Sequence, residues 1–131
     1  DYVDIIPAVG DMSYETMFRE SSLMVTDFSG IQFDFAYMRK PLVYLHHKDI
    51  PQHYEEGTFF YDTMAFGEIA HDNDELIDLL CEYMASGCKM KEEYVRRADD
   101  FFYYNDHNNC KRIYDTMIEY QEKKILPYRQ K

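Results

Sequence analysis

Asp27-Phe28-Ser29-Gly30 places an acid, a hydroxyl and a glycine in one short bend, with Asp34 a helical turn further on. Those residue types suit a phosphate. The Ser29 hydroxyl can donate to a phosphate oxygen, Gly30 lets main-chain N–H groups come close, and Asp34 can accept from ribose hydroxyls. Together they describe a seat for a nucleoside diphosphate. The same atoms have a purely local use, with Ser29 as N-cap, Gln32 completing a capping box and Asp34 complementing a helix dipole. On spacing alone the local account carries the greater weight, because short motifs mean little outside their context. A second point of interest is His46-His47, directly after an apolar run, where an imidazole could donate to a phosphate or bind a base. The plain alternative is an exposed loop pair.

The elements that must position these residues follow from the apolar pattern. Leu23-Met24-Val25-Thr26 is a short, partly β-branched run of the kind that fills a buried parallel strand, and it stops at Asp27. Residues 31–39 favour a helix, Pro41 bars its continuation, and Leu42-Val43-Tyr44-Leu45 repeats the buried-strand pattern. In an open parallel sheet, ligands bind beyond the carboxyl ends of the strands, so the bend at Asp27 and His46 belong to one edge. Upstream, Val3, Ile5 and Ile6 before Pro7 read as a strand, and Tyr14, Met17 and Phe18 as a helix reaching Ser22. Downstream, residues 46–66 read as a long functional loop with a helical turn at Gln52–Glu56, followed by a strand over Gly67–Ala70.

Asp72 and Glu75 have capping-box spacing, Leu76, Ile77, Leu79, Leu80, Tyr83 and Met84 keep helical periodicity, and Gly87 suits the end of that helix. Two more helices are expected. One covers residues 89–103 with Tyr94, Val95, Ala98, Phe101 and Phe102 inward, the other residues 108–123 with Ile113, Tyr114, Met117 and Ile118 inward. The tail from Lys124 is expected to fray. This alternation predicts an α/β layer with a helical C-terminal cap, in a single domain over residues 1–131.

Composition narrows the function classes. A 46% hydrophobic and 17% aromatic content is that of a folded chain, and 131 residues suffice for a core without staples. The net charge of −11 opposes the phosphate backbone of nucleic acid, which is excluded as a partner. Cys81, Cys88 and Cys110 are odd in number and lack C-x-x-C spacing, so they read as reduced thiols. The histidines lack helical pairing or cysteine companions, so no metal site is expected, and no cofactor is implied. No apolar run approaches the roughly 20 residues of a spanning helix. The chain opens on Asp1 before an apolar stretch, which points to a piece of something longer.

Residues 23–36, Leu-Met-Val-Thr-Asp-Phe-Ser-Gly-Ile-Gln-Phe-Asp-Phe-Ala, followed by Lys40-Pro41-Leu42-Val43-Tyr44, resemble the T-D-Y-S-S-x-x-F-D-x-A…P signature of CDP-glycerol glycerophosphotransferases. Asp49, Tyr54, Gly57 and residues 59–62 resemble that family's D-x-x-x-Y…G-F-Y-x-D stretch, and Asp74-Glu75-Leu76 opens the helix after it. The resemblance spans residues 13–85 and loosens towards Asn108, Asn109 and Arg112. It implies the C-terminal, Rossmann-like half of a two-domain GT-B transferase, in which glycerol phosphate passes from CDP-glycerol to a cell-wall polymer. That protein would be cytoplasmic and peripheral at the inner face of the membrane.

Carried over residue by residue, Ser29 contacts the donor phosphates, Asp27 shapes the turn, and Asp34 is the aspartate of the F-D pair. Gly30 stands where the pattern has a second serine, so only main-chain N–H remains there. The family's H-P histidine would lie upstream of Asp1, so no catalytic residue is assigned. The implied partners are CDP-glycerol or a related donor, the polymer acceptor and the missing N-terminal half. Two other functions compete: the C-terminal domain of a nucleotide-sugar glycosyltransferase, and a degenerate interaction module that uses its acidic surface. Phe59-Phe60-Tyr61 and Tyr103-Tyr104 could stack a base, although core packing is the commoner use. Glu92-Glu93 and Asp99-Asp100 read as a solvated helix face.

Overall fold

A computed structural model describes residues 2–7, 13–49 and 59–123. The chain divides into two compact units, Asp1–Phe101 and Phe102–Lys131. The first unit contains α1 (Tyr14–Glu20), β1 (Met24–Thr26), α2 (Ile31–Tyr37), β2 (Leu42–Leu45), α3 (Tyr61–Met64), β3 (Glu68–Ala70), α4 (Asn73–Ala85) and α5 (Glu92–Phe101). Its three strands form one parallel sheet in the order β1-β2-β3, with Val25 opposite Val43 and Leu45 opposite Ala70. This is the expected α/β layer of a Rossmann-like fragment.

Side chains alternate across a strand, so β2 has two distinct faces. Val43 and Leu45 look towards α4, where Val43, Ala70 and Tyr83 form a core joined by Leu23, Leu76 and Leu79. Tyr44 looks the other way, to Gln32 of α2 and Tyr61 of α3. Three of the four residues of the middle strand therefore lose contact with water, with Leu42, Val43 and Tyr44 at 0% exposure and Leu45 partly buried. At roughly 25 cal/mol per Å² of apolar surface, β2 is the main anchor of the sheet.

Three joints hold the layer together. A Cβ built on Gly67 would stand 1.8 Å from the Leu42 carbonyl oxygen, so only glycine lets the chain entering β3 pass β2. Lys40 donates from Nζ to the carbonyls of Phe18, Arg19 and Ser21, each at 2.7 Å, and so satisfies the C-terminal end of α1. Arg39 closes α2 in the left-handed region, at φ 58°, with its guanidinium on the Ala36 and Tyr37 carbonyls and on Asp99 of α5 at 2.6 Å. Asp99 thus pins α5 to α2, a role not read from its charge run.

The helix after β3 forms as its caps predict. Asp72 accepts from the Glu75 N–H at 2.9 Å, Glu75 accepts from the His71 N–H at 2.8 Å, and Gly87 follows the C-cap at φ 77°. Across the start of α5, Tyr83 donates to Glu68 at 2.6 Å, and Lys91 bridges Glu68 and Glu82 at 2.5 and 2.7 Å. Hydrogen bonds to those two carboxylates push the Lys91 ammonium above its usual range. Burial does the same to the Tyr83 phenol, reinforced by Glu68.

Several expectations need correction. Val3, Ile5 and Ile6 are extended but pair with no described strand, and both Val3 and Ile5 are exposed. Pattern supplies a strand's propensity, whereas pairing requires a neighbour within reach. The helix expected over 89–103 is shorter, and Phe101 is partly exposed while Tyr94 and Ala98 are buried.

In the second unit, α6 (Asn109–Glu122) forms, but Ile113, Tyr114, Met117 and Ile118 lie exposed. Among the described residues of that unit there is no second helix or strand to cover them. Tyr103 and Tyr104 are likewise exposed, with the Arg112 guanidinium 3.6 Å above the Tyr104 ring. The helical turn at Gln52–Glu56, the motif residues Tyr54 and Gly57, and the tail from Lys124 lie outside the described residues. Among the described residues no helix is long and apolar enough to cross a membrane.

Candidate functional site

The bend Asp27–Gly30 leaves β1 at the carboxyl edge of the sheet, as His46 does from β2 and His71 from β3. Parallel pairing produces this convergence, because all three strands end on the same side. The bend is set by Asp27, whose Oδ1 accepts the Ser29 N–H at 3.0 Å in an Asx turn. Phe28 turns inward and is buried, Ser29 is half-buried, and Gly30 is exposed. The carbonyls of Ser29 and Gly30 already accept from the Gln32 and Phe33 N–H groups, at 3.3 and 3.2 Å. Among the described residues, the Ser29 hydroxyl and the N–H groups of Gly30 and Ile31 have no hydrogen-bond partner.

The capping box at this position is not formed. Gly30, not Ser29, is the N-cap of α2, and no side chain caps it. Gln32 is 2% exposed and points into the layer, where its Oε1 accepts from the Tyr44 hydroxyl at 2.6 Å and its Nε2 donates to the Tyr61 hydroxyl at 3.4 Å. The Tyr44 oxygen in turn accepts the Phe66 N–H at 3.3 Å. This buried chain ties the start of α2 to β2, to α3 and to the entry of β3. A carboxamide supplies both a donor and an acceptor, which a capping glutamine on the surface would spend on its own helix. Burial, the dominant cause, raises the Tyr44 phenol well above its usual range, so it serves as a neutral hydrogen-bonding group.

His46 is fixed from three sides. Its N–H donates to the Ala70 carbonyl at 2.8 Å, its ring stacks on Phe28 with centroids 4.2 Å apart, and Tyr61 meets it edge-on at 4.6 Å. The Nε2 atom is buried and has no hydrogen-bond partner among the described residues. Burial, followed by the proximity of His71, lowers the imidazole pKa below its usual value, while Asp27 acts in the opposite sense. The ring is therefore neutral near pH 7, and an unpaired nitrogen is available to a group that can share a proton. His47 instead accepts the Asp49 N–H at 3.2 Å and takes no part in this cluster.

Of the residues singled out from the sequence, Asp27, Ser29, Gly30 and His46 gather at one sheet edge. Asp34 lies in the first turn of α2, exposed, and its carboxylate makes no hydrogen bond to the bend. Phe28 and His71 support the site but were not singled out from the sequence, whereas Gln32 was read as a cap and Tyr61 as a core or base-stacking ring. The available signal for His71 was its place directly after a strand, the same signal that marked His46. Phe59 joins Phe33, Phe66 and Phe101 in a separate aromatic cluster. Among the described residues no group of three or more His, Cys, Asp or Glu side chains forms a metal site.

The model of the family described as CDP-Glycerol:Poly(glycerophosphate) glycerophosphotransferase matches residues 2–119. The minor teichoic acid biosynthesis protein GgaB of Bacillus subtilis (strain 168) is 36% identical over 125 residues, which cover 95% of this chain and 14% of that protein. The chain thus spans about one seventh of the length of this curated relative. No solved structure matches it.

Proposed function

The chain belongs to the CDP-glycerol:poly(glycerophosphate) glycerophosphotransferase family, and on that premise we propose that it forms the donor-nucleotide-binding part of a larger transferase. That enzyme moves glycerol phosphate from CDP-glycerol to a teichoic acid-like polymer at the inner face of the cell membrane, and its partner half is a second α/β domain of a GT-B pair. The observation that carries this reading is the Ser29 hydroxyl beside the N–H groups of Gly30 and Ile31, none of them with a hydrogen-bond partner among the described residues and all at the carboxyl edge of the sheet. Anions seat there because unpaired N–H groups and a hydroxyl replace part of the hydration a phosphate gives up. Asp27 holds the bend, His46 offers Nε2 to the same ligand, and Asp34 is available to the ribose.

The fragment supplies positioning. The acceptor hydroxyl attacks the donor phosphorus and CMP leaves, a step whose proton transfer is assigned to no residue of this chain. The test is a thermal shift with CDP-glycerol and CMP at millimolar concentration, in which ligand binding raises Tm by mass action. Ser29→Ala should abolish the shift without lowering the Tm of the free protein. A parallel panel of UDP and GDP compounds separates a nucleotide-sugar transferase, which would prefer one of those. No shift with any nucleotide would leave only the interaction-module reading.

A further inference from the structure

The apolar stripe of α4 is wider than the core it serves. Leu76, Leu79 and Tyr83 pack with Val43 and Ala70. One residue on from each of them, roughly 100° round the helix, stand Ile77, Leu80 and Met84, which with Cys81 make a second stripe at i, i+3, i+4 and i+7. Ile77 and Met84 are 55% and 62% exposed, Cys81 is exposed and Leu80 is half-buried. The sheet does not cover this flank, and a contiguous run of exposed apolar side chains marks a contact surface.

Beside the stripe the helix is acidic. Asp74, Asp78 and Glu82, at i, i+4 and i+8, are all exposed, and α4 contains no Lys or Arg. Lys91 meets Glu82, whereas Asp74 and Asp78 have no ion pair among the described residues. Asp74 has a local use in the first turn, where it complements the helix dipole; Asp78, a turn further on, lies beyond that effect.

This charge pattern selects the occupant. A second copy laying its own α4 on this face would bring two acid rows together. An anionic membrane meets the same repulsion, and helices that lie on membranes carry Lys and Arg beside their apolar face instead. The exposed stripe of α6 makes the contrast: its polar side is laced by the pairs Lys111–Asp115 and Lys123–Glu119, so nothing there selects a partner.

We propose that the Ile77–Met84 face of α4 is a docking surface for a protein helix whose apolar stripe is flanked by Lys or Arg. The partner's apolar side chains pack on Ile77, Leu80 and Met84, and its basic groups pair with Asp74 and Asp78 at the rim, where they set orientation and choice of partner. The stripe covers two turns, roughly 10 Å, so the contact belongs to the small, transient class.

NMR titration of the 131-residue protein tests this, with a helical peptide of about 18 residues built from Leu and Lys in the i, i+3, i+4, i+7 pattern, and with its Leu and Glu counterpart. The Lys peptide should shift the amides of Ile77, Leu80, Cys81 and Met84 saturably, and raising salt from about 50 to about 500 mM should weaken binding several-fold. The Glu peptide should leave those amides in place. Ile77→Ser combined with Met84→Ser, both at exposed positions, should keep the far-UV circular dichroism and weaken binding by about tenfold or more. Asp74→Asn combined with Asp78→Asn should remove the preference for Lys over Glu. Equal shifts with both peptides overturn the proposal, as do Lys-peptide shifts that spare α4 or are absent at millimolar peptide. Shifts of the same amides with protein concentration alone, or on phosphatidylglycerol vesicles, also overturn it, by giving the face to a second copy or to a membrane.

Discussion

Tyr44→Phe tests whether the buried polar chain, and not only apolar packing, holds the start of α2 over the sheet. The phenol oxygen is the centre of two hydrogen bonds, to Gln32 Oε1 at 2.6 Å and from the Phe66 N–H at 3.3 Å, in a side chain of 0% exposure. Removing the oxygen changes little volume but takes from the buried Gln32 Oε1 its donor at 2.6 Å. A buried unsatisfied group costs about 1–3 kcal/mol, which sets the expected loss for the Gln32 acceptor. That corresponds to a fall of order 10 °C in Tm for a domain of this size. Urea unfolding followed by far-UV circular dichroism measures it, with an unchanged slope showing that the native state keeps its compactness. Gln32→Met added to Tyr44→Phe should cost less than the sum of the two single changes, because the orphaned acceptor is gone. A Tyr44→Phe protein within about 0.5 kcal/mol of the unaltered one would show that the chain contributes no net stability.

Gly67→Ala should destabilise by at least about 3 kcal/mol, since the added carbon has no room beside the Leu42 carbonyl and the β2–β3 register must shift; a midpoint close to wild type in urea would refute the close approach. His46 titrates below its ordinary 6.5 in the native state, so the unfolded chain takes up the proton first and stability declines as pH falls below that value. Between pH 7 and 5, His46→Phe should therefore lose less stability than the unaltered protein, and equal losses would show that the ring is not desolvated. Asp72→Ala should cost about 1 kcal/mol through the lost cap on α4, read as a lower urea midpoint.

Much of this protein is legible in the residues themselves. Runs of the type Leu23–Thr26 and Leu42–Leu45, broken by Asp27 and preceded by Pro41, specify buried parallel strands, because apolar continuity and turn chemistry are local properties. The caps of α4 are equally local, and both partners of each hydrogen bond lie within four residues. Placement at the carboxyl edge followed as well, since it depends only on strand direction. Tertiary structure decided what local chemistry left open. Gln32 has the right spacing for a capping box, yet Tyr44 and Tyr61 offer it buried partners that a surface position lacks. The Asp99 carboxylate sits in a charge run of solvated appearance, and only the chain reversal that brings Arg39 across makes it a fastener. The stripe Ile113 to Ile118 has core periodicity without an element among the described residues of its own unit to cover it. Periodicity reports which face of a helix is apolar, whereas burial depends on a second surface that no single segment encodes.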